Sequence, residues 1–255
     1  MKAFGAIYWR ELRAYFHSAI AYVLLVGFLL ITGYFFAAGV AQYTQFSLQA
    51  MQNPVMMKIN LMDFLITPLL GNMAVIFILV APLLTMRLLS DERRTGTIEL
   101  LLSYPVGDAS VVLAKFLAAW TMISVMLGLT WIHMLVLLWI ADPYLPAMAT
   151  GYLGVFLLCG AFVALGIFAS SVTENQIVAA LIAFAGLLLL WVLGWSSTVV
   201  GEQMGPILES FSLTSRLQDF SRGLIDTADL AYFVLFMGFF LFVSIRVLEA
   251  KRWKA

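Results

Sequence analysis

From residue 177 to residue 199 the chain runs through Leu187-Leu188-Leu189-Leu190-Trp191-Val192-Leu193 without one charged side chain. About 20 consecutive apolar residues in a helix cross the roughly 30 Å of hydrocarbon in a bilayer, so a run of this kind has little alternative to spanning a membrane. Five further runs are long and apolar enough to do the same, at 20–40, 64–84, 111–140, 152–171 and 231–248, with a charge only near one end in two of them, Lys115 and Arg246. None alternates apolar and polar residues as a membrane β-strand must, which leaves an α-helical bundle. Composition agrees: 63% of the 255 residues are hydrophobic and only 11% charged, about half the charge of an ordinary soluble domain. The sequence therefore predicts an all-α integral membrane protein, residues 1–255 forming a single domain of six transmembrane helices. The first run starts late and is long for a cleaved signal, so it is expected to remain as a span.

Charge placement gives an orientation. With six spans, Lys2, Arg10, Arg13, Arg87, Arg93, Arg94, Lys115, Arg246, Lys251, Arg252 and Lys254 fall on one side and only Lys58, Arg216 and Arg222 on the other. Excess Lys and Arg marks the cytoplasmic side, so both termini are expected there. Acidic residues divide evenly between the sides, as they do when cations alone carry the signal. Cys159 is the only cysteine, which excludes an intrachain disulfide. No basic domain is present on which nucleic-acid binding would rest.

Before the first span, residues 1–19 read as an interfacial helix. Phe4, Ile7, Tyr8, Leu12, Tyr15 and Phe16 share one arc, and Lys2, Arg10, Arg13 and His17 the opposite one. Such a helix is expected in the headgroup layer, apolar side down and basic side toward anionic lipid. Glu11 breaks the pattern by falling inside the apolar arc.

The connection at residues 90–106, Ser90-Asp91-Glu92-Arg93-Arg94-Thr95-Gly96-Thr97-Ile98-Glu99-Leu100-Leu101-Leu102-Ser103-Tyr104-Pro105-Val106, holds a short helix that Asp91 or Thr97 would cap and Pro105 would end. Leu100, Leu101 and Leu102 are too apolar for water and too few to span. They need either this chain's own helix ends or a groove on a second protein, and spacing alone does not choose.

Residues 87–115 resemble the cytoplasmic loop of the ABC-2 family of ABC-transporter permeases. An acidic pair, Gly-Thr-x-Glu-Leu-Leu, Pro-Val and a Lys opening the next span appear here as Asp91-Glu92, Gly96-Thr97-Ile98-Glu99-Leu100-Leu101, Pro105-Val106 and Lys115. Arg10-Glu11-Leu12-Arg13-Ala14-Tyr15-Phe16 and Asp219-Phe220-Ser221-Arg222-Gly223-Leu224-Ile225-Asp226 resemble the gliding-motility-associated branch and its relative serving nitrous-oxide reductase maturation. The resemblance implies a bacterial inner-membrane exporter subunit that binds no cofactor, with ATP and Mg on a partner ATPase present in two copies. It also implies a second permease chain, identical or similar, and leaves room for an extracytoplasmic accessory protein. Thr97, Ile98, Glu99, Leu100, Leu101 and Leu102 would be the coupling helix seated on the ATPase. Asp91, Glu92, Arg93, Arg94 and Glu174 would be supporting gate charges. The chain has no G-x-x-x-x-G-K-[ST] phosphate loop and no Gly-Lys dipeptide, so it is expected not to be an enzyme.

The turn Ser171-Val172-Thr173-Glu174-Asn175-Gln176 is read first as a capped helix–helix turn, with Thr173 or Asn175 feeding the next helix. Glu174 could in addition pair with Arg93 or Arg94, or touch the ATPase. Across the membrane, residues 201–229 read as two amphipathic helices against the bundle rim, matching the re-entrant outer helices that the resemblance implies. Phe211, Leu217 and Phe220 are their candidate outer gate, with a simple sealing cap as the alternative.

Other candidates are weaker. His133, inside the third span, reads as a packed histidine rather than a metal ligand, since the one other histidine is His17. Asp63 and Asp142 read as span termini. Small residues at Gly160, Ala164, Gly166 and Ser170, and at Ala179, Ala183 and Gly186, allow close helix contact within one bundle or at a subunit seam. Two rival functions remain at this stage, a stand-alone carrier or channel and an ATP-driven subunit that transmits force without cargo.

Overall fold

The computed structural model describes residues 2–52, 60–96, 107–141, 143–196 and 212–252. These residues form helices joined by short turns: α1 (Lys2–Phe16), α2 (Ala19–Gln52), a π-helical turn (Met62–Ile66) running into α3 (Thr67–Thr85), α4 (Ser90–Arg94), α5 (Asp108–Leu129), α6 (Trp131–Ile140), α7 (Leu145–Val172), α8 (Gln176–Ser196), α9 (Leu213–Ser221) and α10 (Thr227–Arg252). Among the described residues six stretches are long and apolar enough to cross a membrane: Ala19–Ala50, Met62–Arg94, Asp108–Ile140, Leu145–Val172, Gln176–Gly194 and Thr227–Ala250. Each contains one of the runs read from sequence or most of it.

Helix α7 is the axis of the bundle, packed against α3, α5, α8, α9 and α10. In its most apolar window 83% of the residues are buried, against 17% for the first span. Its small residues explain the position, because neighbouring side chains occupy the space a Cβ would need. A Cβ on Gly154 would lie 2.6 Å from the Phe220 Cβ, and one on Gly166 would lie within 3 Å of Thr85. Gly160 likewise receives Trp120 and Met237, and Gly186 of α8 meets Leu165. Ala164, Ala179 and Ala183 are buried as well. The two small-residue stripes thus pack this chain's own bundle.

The second span does not run straight into α4. Pro82 stands within α3, residues 86–89 form a turn, and the helix resumes at Ser90. The break leaves amide donors without intrahelical acceptors. Ser170 of α7 meets them: its Oγ accepts from the Leu89 and Ser90 amides at 3.0 Å each and donates to the Met86 carbonyl at 3.0 Å. Asp91, one of the two expected caps, thus does not cap α4, and Thr97, the other, lies outside the described residues. No side-chain cap bond forms at Leu89, and Asp91 lies inside the first turn of α4.

The third span also breaks, at Thr130, between α5 and α6. The buried Thr130 hydroxyl donates to the Leu127 carbonyl and lies 2.9 Å from the Tyr152 hydroxyl of α7. An uninterrupted apolar run hid this joint from sequence reading.

Helix α1 differs from expectation in the facing of its apolar arc. Its apolar arc is turned to protein: Ile7 packs with Val111 and Ala114, and Tyr15 is 1% exposed with its hydroxyl donating to the Leu84 carbonyl at 2.8 Å. The helix lies against α5, and only Trp9 and Phe16 among its large apolar groups remain exposed.

Candidate functional site

The charged residues of α4 meet three other parts of the chain on one side of the bundle. Lys115, in the second turn of α5, is 1% exposed. A cation so far from water needs carboxylates at hydrogen-bond range. Its Nζ lies 2.9 Å from Glu11 Oε1 of α1 and 2.9 Å from Glu92 Oε1 of α4. Arg10 Nη2 closes the circuit from the rim, 2.6 Å from both of the same oxygens. Glu11 thus sits on the buried face of α1 because its partner is there. Burial alone would raise the Glu11 carboxyl, but Lys115 and Arg10 outweigh that effect and hold it below its ordinary value of 4.5.

The other edge of α4 holds the turn between α7 and α8. Arg93, 8% exposed, donates to the carbonyl of Ser171 and lies 3.1 Å from Glu174. Ser171 belongs to the last turn of α7, where carbonyls lack intrahelical donors and attract a cation. Asp91 accepts from the Gln176 side chain at 2.8 Å and from Arg94 at 3.0 Å. Asn175 Oδ1 accepts from the Ile177 amide at 2.9 Å, and Thr173 Oγ1 from the Asn175 amide at 3.2 Å. Both readings of this turn are present together: a capped helix start and a Glu174–Arg93 pair. Beside it lies an open cavity of about 460 Å³ lined by Arg94, Glu174, Asn175, Gln176 and Ile177.

Asp91, Glu92, Arg93, Arg94 and Glu174 are thus brought together in one clasp, to which Arg10, Glu11, Lys115, Ser170 and Gln176 also belong. Sequence reading did not join these last five to it. The signals were an acid in the apolar arc of α1 and a lysine within Val111-Val112-Leu113-Ala114-Lys115-Phe116. Thr97, Ile98, Glu99, Leu100, Leu101 and Leu102 lie outside the described residues, as does Asp142.

On the opposite side, Leu217 and Phe220 of α9 are buried against α7, while Phe211 lies outside the described residues. Thr150 of α7 donates to the Phe220 carbonyl at 2.8 Å. Ser212 caps α9 by accepting from the Ser215 amide, and Gly223, with φ of +89°, ends it. That conformation suits glycine, and the Leu224 amide reaches back to the Asp219 carbonyl at 3.0 Å in a Schellman-type closure. Arg216 pairs with Asp229 and lies over the Tyr232 ring, 4.1 Å from its centroid, fixing α9 to α10. His133 stacks on Phe36 with centroids 5.1 Å apart.

No curated protein matches the chain. Residues 5–245 match the model of a family described as ABC-2 family transporter protein, a span that takes in all or most of each described helix and the whole clasp. The chain belongs to the ABC-2 family of transporter proteins, as a membrane-spanning permease-type subunit.

Proposed function

We propose that this chain is the membrane half of an ATP-driven exporter, coupling hydrolysis on a separate ATPase to movement of a substrate out of the cytoplasm or inner leaflet. The supporting observation is the clasp. Residues 97–102 follow α4 in sequence after Thr95 and Gly96, and α4 is tied by charged hydrogen bonds to α1, α5 and the α7–α8 turn. A displacement passed from 97–102 to α4 would reach three spans at once. Membership of the ABC-2 family implies an ABC ATPase partner. Two ATPase copies, a second permease chain, an extracytoplasmic partner, a bacterial inner-membrane location and cytoplasmic termini complete the proposal. Phe211, Leu217 and Phe220 would close the outer exit.

Leu101→Asp tests the coupling. The variant is expected to fold and insert normally, yet to lose co-purification with its ATPase and stimulation of ATP turnover. Normal co-purification and normal stimulation would remove residues 97–102 from the coupling role.

A further inference from the structure

On the face opposite the clasp, an open cavity of about 500 Å³ is lined by Asn60, Met62, Asp63, Tyr144, Ala147 and Arg222. That volume lies in the usual range for a small-ligand site. It brings one carboxylate and one guanidinium to the same space, and neither Asp63 nor Arg222 forms an ion pair among the described residues.

Both charges are held in place by the fold. Asp63 lies in the π-helical turn Met62–Ile66, and π turns inside helices occur frequently at functional sites. Asn60 fixes the start of that turn, its Oδ1 accepting from the Met62 amide at 3.0 Å and its carbonyl from the Phe64 amide at 3.1 Å. Arg222 ends α9, and Gly223 beside it comes so close to α7 that a Cβ there would lie 3.1 Å from the Ala147 Cβ.

The surroundings indicate what fills the space. Met62 opens the second span and Leu145 the fourth, so the cavity lies at the level where helices leave the hydrocarbon. Tyr144 in its lining is 65% exposed, and Leu145, Leu224 and Ile225, close in sequence to lining residues, are 50%, 60% and 51% exposed. Exposed apolar groups around a charged crevice at a span end suit a lipid, with acyl chains on the apolar rim and headgroup inside. A ligand bearing only negative charge would meet the Asp63 carboxylate, and one bearing only positive charge would meet Arg222.

We propose that this cavity binds a membrane phospholipid headgroup of the phosphoethanolamine type, Arg222 taking the phosphate and Asp63 the primary ammonium. Guanidinium suits the phosphate through parallel N–H donors, and the ammonium offers three donors to the carboxylate. The inference does not rest on the transport proposal, since it concerns lipid retention alone.

The full chain, purified in mild detergent, is incubated with equimolar phosphatidylethanolamine and phosphatidylglycerol of identical acyl chains, and retained lipid is read by native mass spectrometry. The parent chain is expected to retain phosphatidylethanolamine about tenfold better, the scale of one charged hydrogen bond. Arg222→Gln is expected to lower retention of both lipids about tenfold, and Arg222→Lys to keep most of it. Asp63→Asn is expected to abolish the preference, and Asp63→Lys to reverse it. Both positions are exposed, and matched elution profiles and helical circular dichroism check that each variant is folded. Equal retention of the two lipids by the parent chain, or unchanged retention by Arg222→Gln, would overturn the proposal. Soluble O-phosphoethanolamine is expected to leave the lipid in place; displacement by it would overturn the lipid as ligand in favour of a soluble phosphorylated amine.

Discussion

Glu11 of the first helix and Glu92 of the fourth converge on one buried ammonium, each placing an oxygen 2.9 Å from Lys115 Nζ. Segments distant in sequence thus share a single cation that has almost no contact with water.

Removing that cation leaves two carboxylates in a partly buried site beside Arg10. Lys115→Met is expected to cost about 3–5 kcal/mol, the usual scale for breaking a buried ion pair by deleting one partner. A lowered unfolding midpoint of the detergent-purified chain would register it. Adding Glu11→Gln and Glu92→Gln should recover part of the loss, because the uncompensated charges go with them.

Acid should loosen the same site in a definite direction. The Glu11 carboxyl is held below 4.5, so its contribution to stability is fully present above that pH and fades as pH falls through the lower folded value. The unfolding midpoint should therefore carry a Glu11-dependent drop only below about pH 4.5, and Glu11→Gln should remove that component. A Glu11→Gln chain with an unchanged acid profile would contradict the charge assignment.

Ser170→Ala removes the hydroxyl that serves the broken end of the second span. Two buried amides, those of Leu89 and Ser90, lose their acceptor. The expected cost is about 1–3 kcal/mol in global stability, together with faster amide exchange at these residues. Hydrogen exchange read by mass spectrometry separates this local effect from general loosening.

Gly154→Val puts side-chain atoms where Phe220 and Leu217 now sit, at 2.6 Å and 2.9 Å from the first added carbon. Helix α9 must then move off α7, at an expected cost of about 1–3 kcal/mol. Limited proteolysis should cut near α9 sooner in this variant than in the parent chain.

The spans were legible because apolar runs of this length, with at most one charge near an end, have almost no other use. The clasp was legible only in part. Asp91, Glu92, Arg93, Arg94 and Glu174 stood out as charges on a loop, whereas Lys115 looked like a span opening and Glu11 like a flaw in an amphipathic arc. Their meaning depends on α1 lying along α5, which no local pattern of either segment specifies. The breaks at residues 86–89 and at Thr130 were hidden for a related reason. Each is stabilised by a hydroxyl from α7, Ser170 in one case and Tyr152 in the other, so neither is marked by a local turn signature. The expected facing of α1 toward lipid failed because an apolar arc fits a helix bundle as well as it fits a bilayer.

Lys115 and Arg10 match Glu11 and Glu92 one for one, so the four groups moving as a unit carry no net charge. A shift of that unit along the membrane normal would do essentially no work against the transmembrane voltage, where each uncompensated charge would exchange about 2.3 kcal/mol per 100 mV. A motion confined to these four groups would therefore be equally easy in an energised and a depolarised cell.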